Sequence, residues 1–158
     1  MTNVIKRHFH LLLYLQSSNN ANLKRMFSNS SKYAIKALAY IVNYSSYENK
    51  LLVKEIATKI EVPKPFLSKI LQQLSSKDYL SSAKGRKGGF YITEKQLNNS
   101  ILDIIIETEG KDRLKECVLN FDNCNTLNPC PVHDLIAASK DSLRQSFETT
   151  KLEDLREN

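Results

Sequence analysis

The sequence predicts a mainly α fold carrying one small β-hairpin, and three observations predict it. Apolar residues recur at helical spacing in several segments, a proline-bearing turn separates two of them, and a glycine-rich tight loop joins two short runs of β-formers. With 158 residues, 41% hydrophobic and 25% charged, the chain is long enough to bury a core as one compact unit or two small ones.

The elements follow in order. From Ser30 to Tyr44, Tyr33, Ala34, Ala37, Leu38, Ile41 and Val42 recur at steps of one, three and four, which marks an amphipathic helix with Ser30 or Ser31 as its N-cap. After a polar turn, Leu51 to Val53 reads as a short strand, and Ile56, Ala57 and Ile60 as the buried side of a brief helix over Lys54 to Ile60. Val62-Pro63-Lys64-Pro65 then feeds a third helix from Pro65 to Ser76, because proline is tolerated where a helix begins. This helix buries Phe66, Leu67, Ile70, Leu71 and Leu74 and turns Ser68, Lys69, Gln72 and Gln73 outward. Tyr79 to Ser82 and Phe90 to Thr93 form a hairpin around Gly85, Gly88 and Gly89. Asn98-Asn99-Ser100 caps a helix from Ile101 to Glu109 that ends at Gly110. A longer helix is expected from Lys111, interrupted around the cysteines, and another from His133 to Phe147 with Leu135, Ile136, Leu143 and Phe147 as its apolar positions.

Helix, short helix, proline turn, helix and hairpin are the parts of a winged helix-turn-helix, whose third helix enters the DNA major groove while the wing reaches the backbone or minor groove. Charge agrees with that reading. Residues 1–25 carry 4 basic and no acidic groups, residues 26–97 carry 12 and 5, and residues 98–158 carry 7 and 12. A basic middle attracts phosphate and an acidic tail repels it, although such charge also serves solubility. Lys84, Arg86 and Lys87 lie among the wing glycines, where cations on an accessible backbone suit phosphate better than an ordinary solvated hairpin requires. Three divisions result: 1–25, a disordered leader or misassigned start; 26–97, the winged DNA-binding domain; and 98–158, a cysteine loop with dimerisation helices. The leader copies a secretory signal only superficially. His10 interrupts Phe9 to Leu15, and Gln16-Ser-Ser-Asn-Asn20 replaces a small-residue cleavage site; a tag or organelle-targeting segment is the weaker alternative. No apolar run reaches the roughly 18–20 residues of a membrane span, and three cysteines do not make a secreted disulfide scaffold, so a cytoplasmic protein is expected.

Cys117, Cys124 and Cys130 follow the spacing C-x6-C-x5-C within a 14-residue window, and His133 stands three residues after the last thiol. The intervening segment is rich in Asp, Asn and Pro, as a loop wrapped round a metal needs. Singly, each cysteine would read as a small core residue and His133 as a polar helix start; together they make a complete ligand set. Three thiolates and an imidazole suit an iron–sulfur cluster or tetrahedral zinc, and the absence of a C-x2-C pair favours the cluster. No oriented base accompanies the thiols, so no enzyme is predicted, although a regulator with thiol-based sensing or a small redox protein would use the same cysteines.

Met26-Phe-Ser with Lys32-Tyr33-Ala34, the wing Ser82-Ala-Lys-Gly-Arg-Lys-Gly-Gly-Phe90 and the three-cysteine loop together resemble the Rrf-two family of bacterial winged-helix transcription regulators, from Met26 to the C-terminus. The cysteines match its IscR- and NsrR-like, cluster-bearing branch rather than the CymR-like one. The resemblance implies a homodimer, acting as a repressor on pseudo-palindromic promoter DNA. It carries Pro65, Phe66, Ser68, Lys69, Gln72 and Gln73 over as recognition-helix contacts, and Lys84, Gly85, Arg86 and Lys87 as wing contacts. Cys117, Cys124 and Cys130 become cluster ligands with His133 as the fourth, in the IscR-like pattern, which implies 2Fe-2S rather than 4Fe-4S. The carboxylate ligand of NsrR-like members corresponds to Lys32, and no acid occurs between Met26 and Tyr47. Two departures stand out: the family's Arg-Gly-Pro-Gly-Gly-Gly wing is Lys84-Gly-Arg-Lys-Gly-Gly89 here, and Ser68 stands where the IscR-like helix has glutamate. The expected mechanism is that the state of the cluster moves the loop from Cys117 to Cys130 and thereby biases the two readers of the dimer.

Overall fold

A computed structural model describes residues 27–119 and 121–157; the expected leader, with His8 and His10, lies outside the described residues. Helix α1 spans Asn29–Tyr44 and buries Ala34, Ala37, Leu38, Ile41 and Val42. Its N-cap is Ser28, whose side chain accepts the Ser31 N–H, rather than Ser30 or Ser31. Ser31 instead lies buried one turn in, where its hydroxyl meets the Thr108 hydroxyl at 2.6 Å.

The strand expected at Leu51 to Val53 shrinks to one bridge, Leu51 to Phe90, closed by N–H···O bonds of 2.9 and 2.8 Å. The reason is that α2 already begins at Val53 and runs to Lys59. Helix α3, Lys64–Ser76, carries Pro65 in its first turn, where the ring costs no helical hydrogen bond. Both helices hand over to a non-glycine residue in the left-handed region, Glu61 (φ 55°) after α2 and Asp78 (φ 61°) after α3. The returning N–H groups of Val62 and Tyr79 satisfy the carbonyls of Ala57 and Leu74 there, which is how a helix normally stops.

Strands β1 (Ser81–Ala83) and β2 (Gly89–Tyr91) pair antiparallel, with Ser81 opposite Tyr91 and Ala83 opposite Gly89. A short helix α4, Glu94–Leu97, follows on a reciprocal Thr93/Gln96 capping box. Helix α5, Ile101–Glu109, starts on a second such box, Ser100/Asp103, and stops at Gly110 with φ 92°. The helix expected from Lys111 is absent; residues 111–115 form turns, with the Lys115 and Glu116 N–H groups both donating to the Asp112 carbonyl. Polar and turn-forming residues from Asp122 onward give such a helix no apolar stripe to bury. Helix α6 covers His133–Thr149, and a single 3-10 turn, Leu152–Leu155, completes the described chain.

One core gathers these elements. Leu38 and Ile41 of α1, Ile56 of α2, Leu67, Leu71 and Leu74 of α3, Ile104 and Ile105 of α5, and Leu152 of the last turn are all at most 1% exposed. Each such side chain stabilises the fold by about 1.5–3 kcal/mol. The core therefore continues across the boundary at 97/98, because α5 is apolar enough to serve as its fourth wall. The chain end is pinned there by Leu152 N–H to Asn99 O and Ile101 N–H to Thr150 O. No helix among the described residues is long and apolar enough to cross a membrane.

Candidate functional site

Two constellations stand on this frame. In the first, α3 buries Leu67, Ile70, Leu71 and Leu74 and leaves its opposite face open. Pro65, Phe66, Lys69, Gln72 and Gln73 are exposed there and Ser68 is half-buried. Phe66, expected in the core, is 64% exposed, because it precedes the buried Leu67 and so falls on the outer face. Gln73 is already engaged: its amide donates to the Glu107 backbone carbonyl at 2.9 Å and to the Glu107 carboxylate at 3.1 Å, fastening α3 to α5.

The wing tip displays Lys84, Gly85, Arg86 and Lys87 to solvent. Gly85 takes φ 97°, and the Gly88 N–H returns to its carbonyl at 2.9 Å to close the turn. A Cβ on Gly88 would stand 2.4 Å from the Ala83 carbonyl oxygen, so the turn exists only with glycine there. Three cations without an acid thus sit on a tight, backbone-accessible tip. Ser75 at the end of α3 bonds Ser82 of β1 at 2.9 Å, which ties α3 to the wing.

Sequence reasoning missed the polar joint beneath the wing. The Gln96 side chain, 2% exposed, accepts from the Thr93 N–H and the Ser81 hydroxyl and donates to Asp78. Lys95 bonds the same Asp78 carboxylate at 2.6 Å, and these two partners, Lys95 first, hold that carboxyl below its ordinary pKa. Its partners lie 15 to 18 residues away, so only the Thr93/Gln96 cap was visible locally.

The second constellation is the cysteine loop. The three sulfur atoms of Cys117, Cys124 and Cys130 all lie within 4.8 Å of one another, although the loop has no regular structure. Cys117 Sγ is 3.7 Å from Cys130 Sγ, and Cys124 Sγ is 3.2 Å from His133 Nδ1. His133 is the first residue of α6, and its backbone N–H donates to the Cys130 carbonyl, so the helix starts directly after the third cysteine while its imidazole meets the Cys124 thiol. All four residues line one cavity of about 240 Å³ with Val118, Val132 and Ile136 among its walls. Hydrogen bonds from the Phe121 and Leu119 backbone and from the neighbouring thiols lower the Cys117 pKa to about 7. At Cys124 a backbone hydrogen bond at Cys130 works towards the thiolate, but burial, hydrogen bonds with the Cys130 and Cys117 thiols and the Cys117 charge together outweigh it and push the thiol up. Three soft sulfur donors with an imidazole alongside fit zinc or an iron–sulfur cluster and not a hard oxygen-seeking cation. Val118, Leu119, Phe121, Leu127 and Leu135 are exposed around this site.

Residues 27–158 match the model of the family described as Rrf2, iron-dependent transcriptional regulator. A protein of Aquifex aeolicus (strain VF5) named as a candidate HTH-type transcriptional regulator is 32% identical over 132 residues, covering 82% of this chain and 90% of its own. The HTH-type transcriptional regulator NsrR of Geobacillus kaustophilus (strain HTA426) is 26% identical over 132 residues, covering 83% and 89%. Among solved structures, CymR, the global cysteine regulator of B. subtilis, superposes with a TM-score of 0.65 at 19% identity over 82% of this chain and 94% of its own. IscR of T. potens gives 0.58 at 20% identity over 81% and 83%. At these identities the two structures speak for the fold, a winged helix.

Proposed function

Because the chain belongs to the Rrf2 family of transcriptional regulators, we propose that it is a cytoplasmic homodimeric repressor whose promoter binding responds to an iron–sulfur cluster on Cys117, Cys124, Cys130 and His133. The observation that carries this reading is the convergence of three sulfurs within 4.8 Å from an otherwise irregular loop, with His133 Nδ1 beside Cys124. Four ligand positions of this type suit a 2Fe-2S centre better than 4Fe-4S, in keeping with occasional imidazole substitution at two-iron centres. A bound cluster supplies sensitivity to oxidants, nitric oxide and cluster supply.

The chain's own residues do the rest. Pro65, Phe66, Ser68, Lys69 and Gln72 of α3 face the bases and phosphates of the major groove, with Gln73 holding the helix in place. Lys84, Gly85, Arg86 and Lys87 grip the backbone beside it. The loop alters DNA affinity only insofar as its loaded and empty forms favour different arrangements of the reader. Helix α6 buries none of its residues completely and leaves Leu135 76% exposed, which supports pairing with a second copy.

Protein purified without oxygen should be coloured and hold iron and acid-labile sulfide. Cys124→Ala should bleach it while the circular dichroism stays helical. It should also change promoter affinity; equal DNA binding by that variant and the loaded wild type ends the regulatory reading. Tetrahedral zinc suits the same donors, and a colourless protein with one zinc per chain would replace the cluster by a structural metal.

A further inference from the structure

The cysteine loop is joined to the reader by a chain of polar contacts around one carboxylate. Glu109, the last residue of α5, has a side chain only 5% exposed. One of its oxygens accepts the Ser28 N–H at 2.8 Å, and Ser28 is the N-cap of α1. The other lies 2.8 Å from Arg113 Nε, and Arg113 reaches on to Glu116 at 2.6 Å, the residue before Cys117. Lys140 of α6 donates to the Glu116 backbone carbonyl at 2.6 Å, so the same junction touches the helix that carries His133. Start of the reader, end of α5, entrance to the cysteine loop and α6 thus meet at Glu109 and Arg113.

The other described hydrogen bonds of Ser28 stay within the first turn of α1, its side chain accepting the Ser31 N–H and its carbonyl the Lys32 N–H. One turn further in, Ser31 and Thr108 join α1 to α5 through buried hydroxyls at 2.6 Å and keep the body of α1 docked. The first turn can therefore change without undocking the helix, and a carboxylate of such low exposure tolerates the loss of its cation poorly.

We propose that Glu109 is a positioning residue through which the cysteine loop acts on the first turn of α1. The proposal rests on the reading of the loop as a regulatory metal centre. When Glu116 and Cys117 shift, Arg113 moves with them, its hold on Glu109 changes, and the Ser28 N–H gains or loses its acceptor. Because α1 packs on α3, a change at its first turn alters the presentation of the recognition helix. The element biased is a helix end with two states, capped by Glu109 or released from it.

The test compares wild type, Glu109→Gln and Arg113→Gln, each loaded with ferrous iron and sulfide and each metal-free. Promoter binding is followed by fluorescence anisotropy, and hydrogen exchange is measured on the peptide covering residues 27–38. Glutamine at 109 still accepts the Ser28 N–H but gives Arg113 no charge to follow. Wild type should show at least about a fivefold affinity difference between loaded and metal-free forms, with exchange at the first turn of α1 tracking it. In Glu109→Gln, with iron and sulfide content unchanged, that ratio should fall to within about twofold of one and the exchange should cease to depend on loading. Arg113→Gln should behave alike; where it fails to load, Glu109→Gln alone decides. A loaded Glu109→Gln that keeps the wild-type ratio overturns the role of Glu109 and leaves the metal-centre reading intact. A wild type whose affinity and α1 exchange ignore loading overturns both.

Discussion

Glu61 sits two residues beyond the end of α2 with φ 55°, a conformation that costs an L-residue roughly 1–2 kcal/mol and glycine almost nothing. Its side chain is exposed, and replacing it removes only solvated surface. Glu61→Gly should therefore stabilise the protein by about 0.5–1 kcal/mol, raising Tm by about 1–4 °C in a calorimetric scan. A fall in Tm would mean that the wider conformational freedom of glycine in the unfolded chain outweighs the relieved strain. Cys117 offers a second residue-scale test. Backbone N–H groups hold its pKa at about 7, below the ordinary thiol, so its thiolate is already half formed near neutrality and is lost only below that. In metal-free protein the iodoacetamide labelling rate of Cys117 should rise with pH to a midpoint near 7, with Cys124 following at higher pH because its thiol is pushed up. A shared midpoint would place the backbone hydrogen bonds elsewhere.

At the scale of elements, Ser75–Ser82 joins α3 to the wing and Gln73–Glu107 fastens α3 to α5. Lys69 on the helix and Lys84 on the wing are both exposed, with their ammonium groups open to a phosphate. Lys69→Ala and Lys84→Ala should each weaken promoter binding and lower the slope of log affinity against log salt by about 0.9 for every phosphate left without its cation. Wild-type slopes in both variants would move the interface to another face. The α6 element is the opposite case: it is amphipathic by spacing, but only its last turns reach the core, where Phe147 meets Phe27 edge-on at 5.6 Å.

The molecule as a whole consequently leaves Leu135 of α6 exposed, along with Val118, Leu119 and Phe121 of the cysteine loop. In the proposed homodimer, a second copy would cover these residues, and pairing would double the grip of the reader on a two-half-site operator. Sedimentation equilibrium should give a dimer for the wild type, and Leu135→Asp combined with Leu143→Asp should give a monomer that keeps its helical spectrum. A wild-type monomer, or a dimer indifferent to these changes, would refute the α6 interface.

The amphipathic spacing of α1, α3 and α5, the glycine-dependent wing and the clustering of all three cysteines were determined by the sequence alone, because each is a local property: period, backbone freedom or proximity along the chain. The same locality explains the errors. Lys111 to Glu116 has the composition of a helix but no surface to bury, and Phe66 is apolar yet falls one residue off the buried stripe. What only the tertiary structure decided depends on residues far apart. It brought the three sulfurs within 4.8 Å, set Gln96 against Asp78 and Ser81, committed Gln73 to Glu107, and returned Leu152 to the core. It also joined Ser28 to Glu109 across 81 positions, a hydrogen bond that no pattern within the chain encodes because its energy exists only once α1 and α5 have packed.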